Sequence, residues 1–253
     1  MEFPLVPGHE PAGVVAEVGA LLTNVKEGDE VIVSPSGFCG LCRNCRMGMT
    51  HYCENSYTTG GDGSEVRPGS FAEYTLTGAN TVFPKPAEIS FDAACQAEPV
   101  SGAWKGLIHY SEMSLGDDVV LIGTGGIGMY CLMVARAAGA GRLVAVDISD
   151  YALETAKKLG ATHTVNPRQC DAKSAIHDIL PSGPDLVVEA AGPIEAVNLM
   201  VSLLRRGTRW NIFGITTHKK FALDGGWMHF LEARMDSSFS TNPLASENAI
   251  RNP

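Results

Sequence analysis

No stretch of this chain stays apolar for the roughly 20 residues that a membrane-spanning helix requires. The opening residues, MEFPLVPGHEPAG, have neither a basic run nor an apolar core, so no secretory signal peptide is expected. Positive charge is scarce: 19 Lys and Arg stand against 28 Asp and Glu, a formal net charge of −9. That balance argues against nucleic acid or an anionic membrane surface as a partner. Internal repeats and low-complexity tracts are also missing. What remains is a chain of 253 residues, 45% of them hydrophobic, enough for one large domain or two ordinary ones with a substantial core. Seven cysteines without a secretory signal fit a reducing cytoplasm, where clustered thiols serve more often as metal ligands or redox groups than as disulfides.

Four of those cysteines, Cys39, Cys42, Cys45 and Cys53, fall in one short stretch at the spacing C-x2-C-x2-C-x7-C. A C-x2-C turn delivers two thiolates to one tetrahedral ion and the longer return delivers the fourth, with Gly37, Gly40 and Gly48 supplying flexibility. An iron–sulfur cluster fits less well, because the return is long and no proline follows Cys53. Four thiolates saturate zinc and leave no open position, so such a site is structural and any chemistry lies elsewhere. Pro7-Gly8-His9-Glu10-Pro11-Ala12-Gly13 precedes an alternating run, Val14 to Val18, expected to be a strand, and Gly28-Asp29-Glu30 turns into Val31–Val33. Short strands between Gly and Pro turns predict a β-barrel-like domain over the first ninety or so residues. His9 and Glu10 offer nitrogen and oxygen to a divalent metal; taken alone, they also suit a solvated loop.

The second half has a different rhythm. Asp118–Ile122 is a short apolar run of the kind buried in a parallel sheet. Gly123-Thr124-Gly125-Gly126-Ile127-Gly128 follows at once as G-x-G-x-x-G, then an amphipathic stretch containing Ile127, Cys131, Val134, Ala135 and Ala138. The next strand, Leu143–Val146, ends in Asp147. Flanked in this way, the motif predicts a dinucleotide turn. Gly123 permits the tight turn, Gly125 admits the pyrophosphate, Gly128 allows close packing, and the amides of Gly126 and Ile127 open the helix. Asp147 can accept the adenosine ribose hydroxyls and repel a 2′-phosphate, favouring NAD over NADP; as a strand-end acid it also suits a turn, with Asp150 a possible helix cap. Further strands are expected at His163–Val165, Asp185–Glu189, Thr208–Phe213 and Ser237–Ser240, alternating with helices near 151–159, 172–180 and 195–204. This is a doubly wound parallel sheet of about six strands. Ala190-Ala191-Gly192 and Phe213-Gly214, at strand ends, are expected to line the ligand.

G-H-E-x-x-G-x5-G (Gly8, His9, Glu10, Gly13, Gly19), then G-D-x-V, then the four-cysteine lobe, resembles the zinc-containing alcohol dehydrogenases of the medium-chain dehydrogenase/reductase family. Leu22 departs slightly from the signature, which usually has a small or β-branched residue there. The resemblance implies a partial GroES-like β-barrel domain with a structural-zinc lobe over residues 1–98 and a Rossmann domain over 99–253. It further implies a catalytic zinc taking His9, with Glu10 a ligand or its neighbour, and Glu98 of Gln96-Ala97-Glu98-Pro99 in the manner of the polyol and threonine dehydrogenase branch. By itself Glu98 suits the first turn of a helix equally well. Cys95 is expected to be a buried thiol and no ligand. His51, His109, His163, His177, His218 and His229 lack partners at ligand spacing. The family's first zinc ligand sits in a C-G-[ST]-D-x-H segment ahead of G-H-E, and only eight residues, none of them cysteine, precede His9. The chain thus has the look of a sequence truncated at both ends. The implied activity is hydride transfer between NAD and a secondary alcohol or polyol, in a cytoplasmic homodimer or homotetramer. The alternative is a catalytically impaired NAD-binding protein holding only structural zinc. A zinc-free reductase of the same family is disfavoured by the cysteine lobe.

Overall fold

Apolar runs in the first ninety residues are cut every few positions by glycine or proline, and only short strands form there. The computed structural model describes residues 5–60, 66–216 and 220–251; His218, one of the histidines without partners at ligand spacing, lies outside them. Strand β1 (Ala12–Val14) pairs antiparallel with β2 (Glu30–Val33), Ala12 opposite Ile32. A second small sheet joins β3 (Ser36–Gly37), β4 (Tyr57–Thr59) and β5 (Val66–Arg67), while β6 (Val82–Pro84) completes the first beside β2. The strand expected over Val14–Val18 thus ends at its first residue. Beyond it, the Val15 amide donates to the Asp29 carbonyl and the Gly28 amide to the Val15 carbonyl, and residues 16–18 join no strand. Helix α1 (Arg43–Arg46) lies within the cysteine lobe; α2 (Phe91–Ala94), capped by Ser90, and α3 (Ala97–Trp104) follow β6.

The chain divides into two units: one running to Gly102 and resuming at Ser240, the other spanning Ala103–Phe239. The expected boundary, with everything from residue 99 onward in the nucleotide domain, therefore needs correction at its far end. Helix Pro243–Arg251 returns to the first unit because its buried Ile250 packs into the cluster of Ile32, Phe83 and Ala94.

The second unit is one parallel sheet built from β7 (Val119–Ile122), β8 (Leu143–Val146), β9 (His163–Val165), β10 (Leu186–Glu189), β11 (Arg209–Ile212) and β12 (Arg234–Ser237). Their order in space is β9-β8-β7-β10-β11-β12. Every residue of β7, β8 and β10 is buried, which is why these strands are apolar throughout except for Glu189, which closes β10; each buried Val, Leu or Ile contributes about 1.5–3 kcal/mol. Helices α4 (Gly126–Ala137), α5 (Asp150–Lys158), α6 (Ala172–Ile179), α7 (Ile194–Ser202) and α8 (Gly225–Leu231) connect them; Pro243–Arg251 is α9. The last strand lies at 234–237, three residues before the expected Ser237–Ser240. It is an edge strand with mostly exposed residues, so no apolar pattern marks it. Among the described residues no helix is long and apolar enough to cross a membrane.

The strand order reverses between β7 and β10, and the carboxyl ends on either side of that point form the crevice where such sheets take ligands. The opposite ends are tied by charge. Asp118, at the foot of β7, accepts from the Arg142 amide and Nε, both at 3.0 Å, and pairs with its Nη2 at 2.5 Å. The Arg142 guanidinium holds the Asp118 carboxyl below its usual range. A depressed folded-state value stabilises the protein above the unfolded carboxylate's pKa, and this contribution disappears as pH falls through the folded one. The Arg142 side chain is 43% exposed, so solvent screening keeps the contribution of the pair small. Asp118→Asn should lower the melting temperature slightly at neutral pH, and the difference should shrink in acid; calorimetry of both proteins over pH checks this.

Candidate functional site

The four cysteine sulfurs of residues 39, 42, 45 and 53 all lie within 4.8 Å of one another. A zinc tetrahedron with bonds of about 2.3 Å has sulfur edges of about 3.8 Å, so the lobe is already close to ligand geometry. Backbone amides face the sulfurs: Leu41 and Cys42 donate to Cys39 Sγ at 3.4 Å, and Cys39 and Asn55 to Cys53 Sγ at 3.3 Å. Those amides lower the Cys39 thiol to about 6, and the amides of Cys45 and Glu54 lower Cys42. Cys45, on α1, is pushed up to about 12 by burial and by its thiol neighbours. Four thiolates this close repel one another, and a divalent cation relieves that repulsion; the donor set fits zinc. Gly37 turns out to have a packing task, not a flexible one, since a Cβ there would lie 1.9 Å from the Tyr57 ring.

A second group of possible ligands gathers His9, Glu10 and Glu98, again with donor atoms within 4.8 Å. His9 is positioned by the preceding residues, which are held on two sides. Gly69 and Phe71 amides bond to Val6 and Pro7 carbonyls at 2.7 and 3.0 Å. Gly60 and Gly69 approach so closely that an added Cβ would meet the Gly8 carbonyl oxygen at 2.0 Å or that of Pro7 at 2.4 Å. Neither glycine stands in a motif, so the sequence alone did not mark them. Glu98 enters from the first turn of α3 and is half-buried. Burial raises its carboxyl above the usual range; His9 lowers it and Glu10 raises it further. An imidazole and two carboxylates, one of them partly desolvated and without a side-chain hydrogen bond among the described residues, suit a divalent cation. Cys95 stays outside this group and is half-buried, not buried as expected, its thiol donating to the Asp92 carbonyl at 3.1 Å. Among the described residues, none of the other histidines joins a metal-capable group.

In the second unit the glycine turn has the shape its motif implies. Gly123 sits at φ +92, and a Cβ at Gly128 would lie 2.0 Å from the Gly123 carbonyl oxygen. Gly125 and Gly126 have nothing within 4 Å of where a Cβ would project, leaving their backbones open to a ligand. Side chains cap α5 (Ser149), α6 (Asp171) and α8 (Asp224), but α4 begins at Gly125 without a cap. Its first amides are thus free to meet an anion, and they fit a pyrophosphate. Ile127 is 42% exposed and belongs to this open face, not to the apolar side of the helix. Asp147 Oδ2 accepts from the Thr124 amide at 2.7 Å and its hydroxyl at 3.1 Å, and Oδ1 from the Ser149 amide at 2.9 Å. Ser149, not Asp150, caps the next helix.

Beside this turn, Glu189 of β10 is fully buried. Its Oε1 accepts from Ala191 and Gly192 amides at 2.8 and 2.7 Å, and its carbonyl from those of Phe213 and Gly214 at 2.8 Å. One residue therefore ties together the two strand-end loops expected to line the ligand. A buried acid closing an apolar strand gave no sequence signal of this role.

A parallel sheet with an uncapped glycine turn at its reversal point, together with thiolate and imidazole–carboxylate clusters, defines a dinucleotide-binding, metal-holding protein of the dehydrogenase class. The chain belongs to the zinc-binding dehydrogenase family, whose model matches residues 126–252, and the alcohol dehydrogenase GroES-like domain model matches residues 1–87. It is 35% identical over 213 residues to an L-threonine 3-dehydrogenase of Chromobacterium violaceum, covering 84% of this chain and 61% of that protein. It thus spans about three-fifths of the length of such curated relatives. A Sinorhizobium meliloti structure described as a zinc-binding dehydrogenase bound to NADP superposes with a TM-score of 0.91 at 29% identity, over 99% of this chain and 72% of that one. Galactitol-1-phosphate dehydrogenase from Escherichia coli gives 0.89 at 26% identity, over 99% and 73%.

Proposed function

We propose that this chain carries an NAD-dependent, zinc-assisted oxidoreductase acting on secondary alcohols of the polyol and hydroxy-amino-acid kind. The observation that carries the reading is the gathering of Glu98 with His9 and Glu10, almost ninety residues away in sequence, into one ligand group. When bound, zinc supplies Lewis acidity toward an alcohol oxygen, and the nicotinamide supplies a hydride acceptor. His9 and the two carboxylates hold the metal, and the cysteine lobe holds a second, structural ion. The α4 amides bind the pyrophosphate, Gly125 and Gly126 let it approach, and Asp147 takes the ribose. Asp147 also supports NAD as the cofactor, although the S. meliloti relative was solved with NADP. Arg142, the nearest base before that strand, is engaged by Asp118 and is not free to neutralise a 2′-phosphate. The relatives' names, threonine and galactitol-1-phosphate dehydrogenases, support a small hydroxylated substrate. The β12 edge, with Met235 exposed, supports assembly of homodimers or homotetramers.

The donor set contains no thiolate, so its ligands are harder and its zinc affinity lower than those of a cysteine-bearing site. That observation keeps open a second reading, an NAD-binding protein with structural zinc alone. Incubating the purified, zinc-loaded chain with NAD and a panel of L-threonine, alditols and their phosphates separates the two. NADH formation with at least one substrate, lost on chelation, is the expected result. NADH binding without turnover of any of them would leave the second reading standing.

A further inference from the structure

We infer that Thr124, a wildcard position of the glycine motif, is a positioning residue that sets the choice between NAD and NADP. The inference rests on the reading of the second unit as an NAD site. Thr124 is buried, at 2% exposure, and directs both its amide and its hydroxyl at the same oxygen, Asp147 Oδ2. The Ser149 amide takes Oδ1. A carboxylate offers about four acceptor directions, and these three bonds leave one, on Oδ1. Asp147 is therefore a negative charge with a single open acceptor, on Oδ1, held against the glycine turn through Oδ2. A ribose hydroxyl can donate to that position, whereas a 2′-phosphate meets a like charge. Many residues at position 124 would supply the amide; only serine or threonine would add the hydroxyl there with little change of shape. The glycines make a dinucleotide site, and Thr124 holds its acid.

The test is the dissociation constants of NADH and NADPH for the full chain and its Thr124→Val, Thr124→Ala and Thr124→Ser variants, read by cofactor fluorescence. A hydrogen bond to a charged group is worth enough to change an equilibrium about tenfold. In Thr124→Val the preference for NADH over NADPH should fall by about that factor, and Thr124→Ser should keep it. Thr124→Ala removes the same hydroxyl and supplies the ratio should the valine variant fail to fold. Equal weakening of both cofactors would mark a loosened turn and overturn the inference, as would an unchanged ratio in Val and Ala. A wild-type chain that binds neither cofactor would instead bring down the underlying NAD reading.

Discussion

Replacing Cys45 with serine should weaken zinc binding in the cysteine lobe and lower the melting temperature by about 6–12 °C. Structural zinc contributes about 10–16 kcal/mol in small zinc domains, so one of four ligands accounts for roughly 3 kcal/mol, and each kcal/mol shifts a chain of this size by about 2–4 °C. Cys45 is the informative position. Its thiol is the one that burial and the neighbouring sulfurs push up to about 12, so its ionisation depends most on a cation. Cys39, already held at about 6 by two amides, needs the metal least for its charge. Native mass spectrometry and calorimetry on the same preparations would read both effects. A variant with the zinc content and melting temperature of the wild type would show that Cys45 does not ligate a structural ion.

Glu98→Gln should move activity and apo-stability in opposite directions. Burial raises the Glu98 carboxyl, so the charged form is the disfavoured one in the folded, metal-free protein. Stability is then greatest where Glu98 is protonated and falls as pH climbs from the unfolded value through the raised folded one. Stripped of zinc, the glutamine variant should melt higher than the wild type at neutral pH and show a flatter pH dependence. With zinc supplied, it should lose at least about 100-fold in kcat/KM, because a neutral amide replaces an anionic ligand. Melting curves of stripped and loaded protein across pH, beside steady-state kinetics, would show the crossover. A variant less stable when stripped yet fully active when loaded would assign Glu98 a packing role.

The sheet was legible in the sequence where strands are buried on both faces. Val119–Ile122, Leu143–Val146 and Leu186–Glu189 fall within a residue of expectation because side chains between two helical layers are nearly all apolar, Glu189 at the end of β10 being the exception. Edge strand β12 was misplaced because its residues, Arg-Met-Asp-Ser, face solvent and answer to backbone pairing alone. The tail was misassigned for a related reason: Ile250 finds its apolar partners, Ile32 and Phe83, more than 160 residues earlier, and no local pattern records that. At the site, the residues that would touch a ligand were visible because their chemistry limits what can stand there. Those that position them were not. Thr124 occupies a motif position that accepts any residue, Gly60 and Gly69 matter only through the close approach of residues 7 and 8, and Glu189 ties two loops that only the fold brings together.

The proposed activity depends most directly on a metal held by His9, Glu10 and Glu98 apart from the cysteine lobe. Zinc per chain, measured by inductively coupled plasma mass spectrometry on the wild type and on His9→Ala, tests it. Two ions falling to one is the predicted result. A single ion in both proteins would contradict the second site, and with it the assignment of chemistry to these three residues.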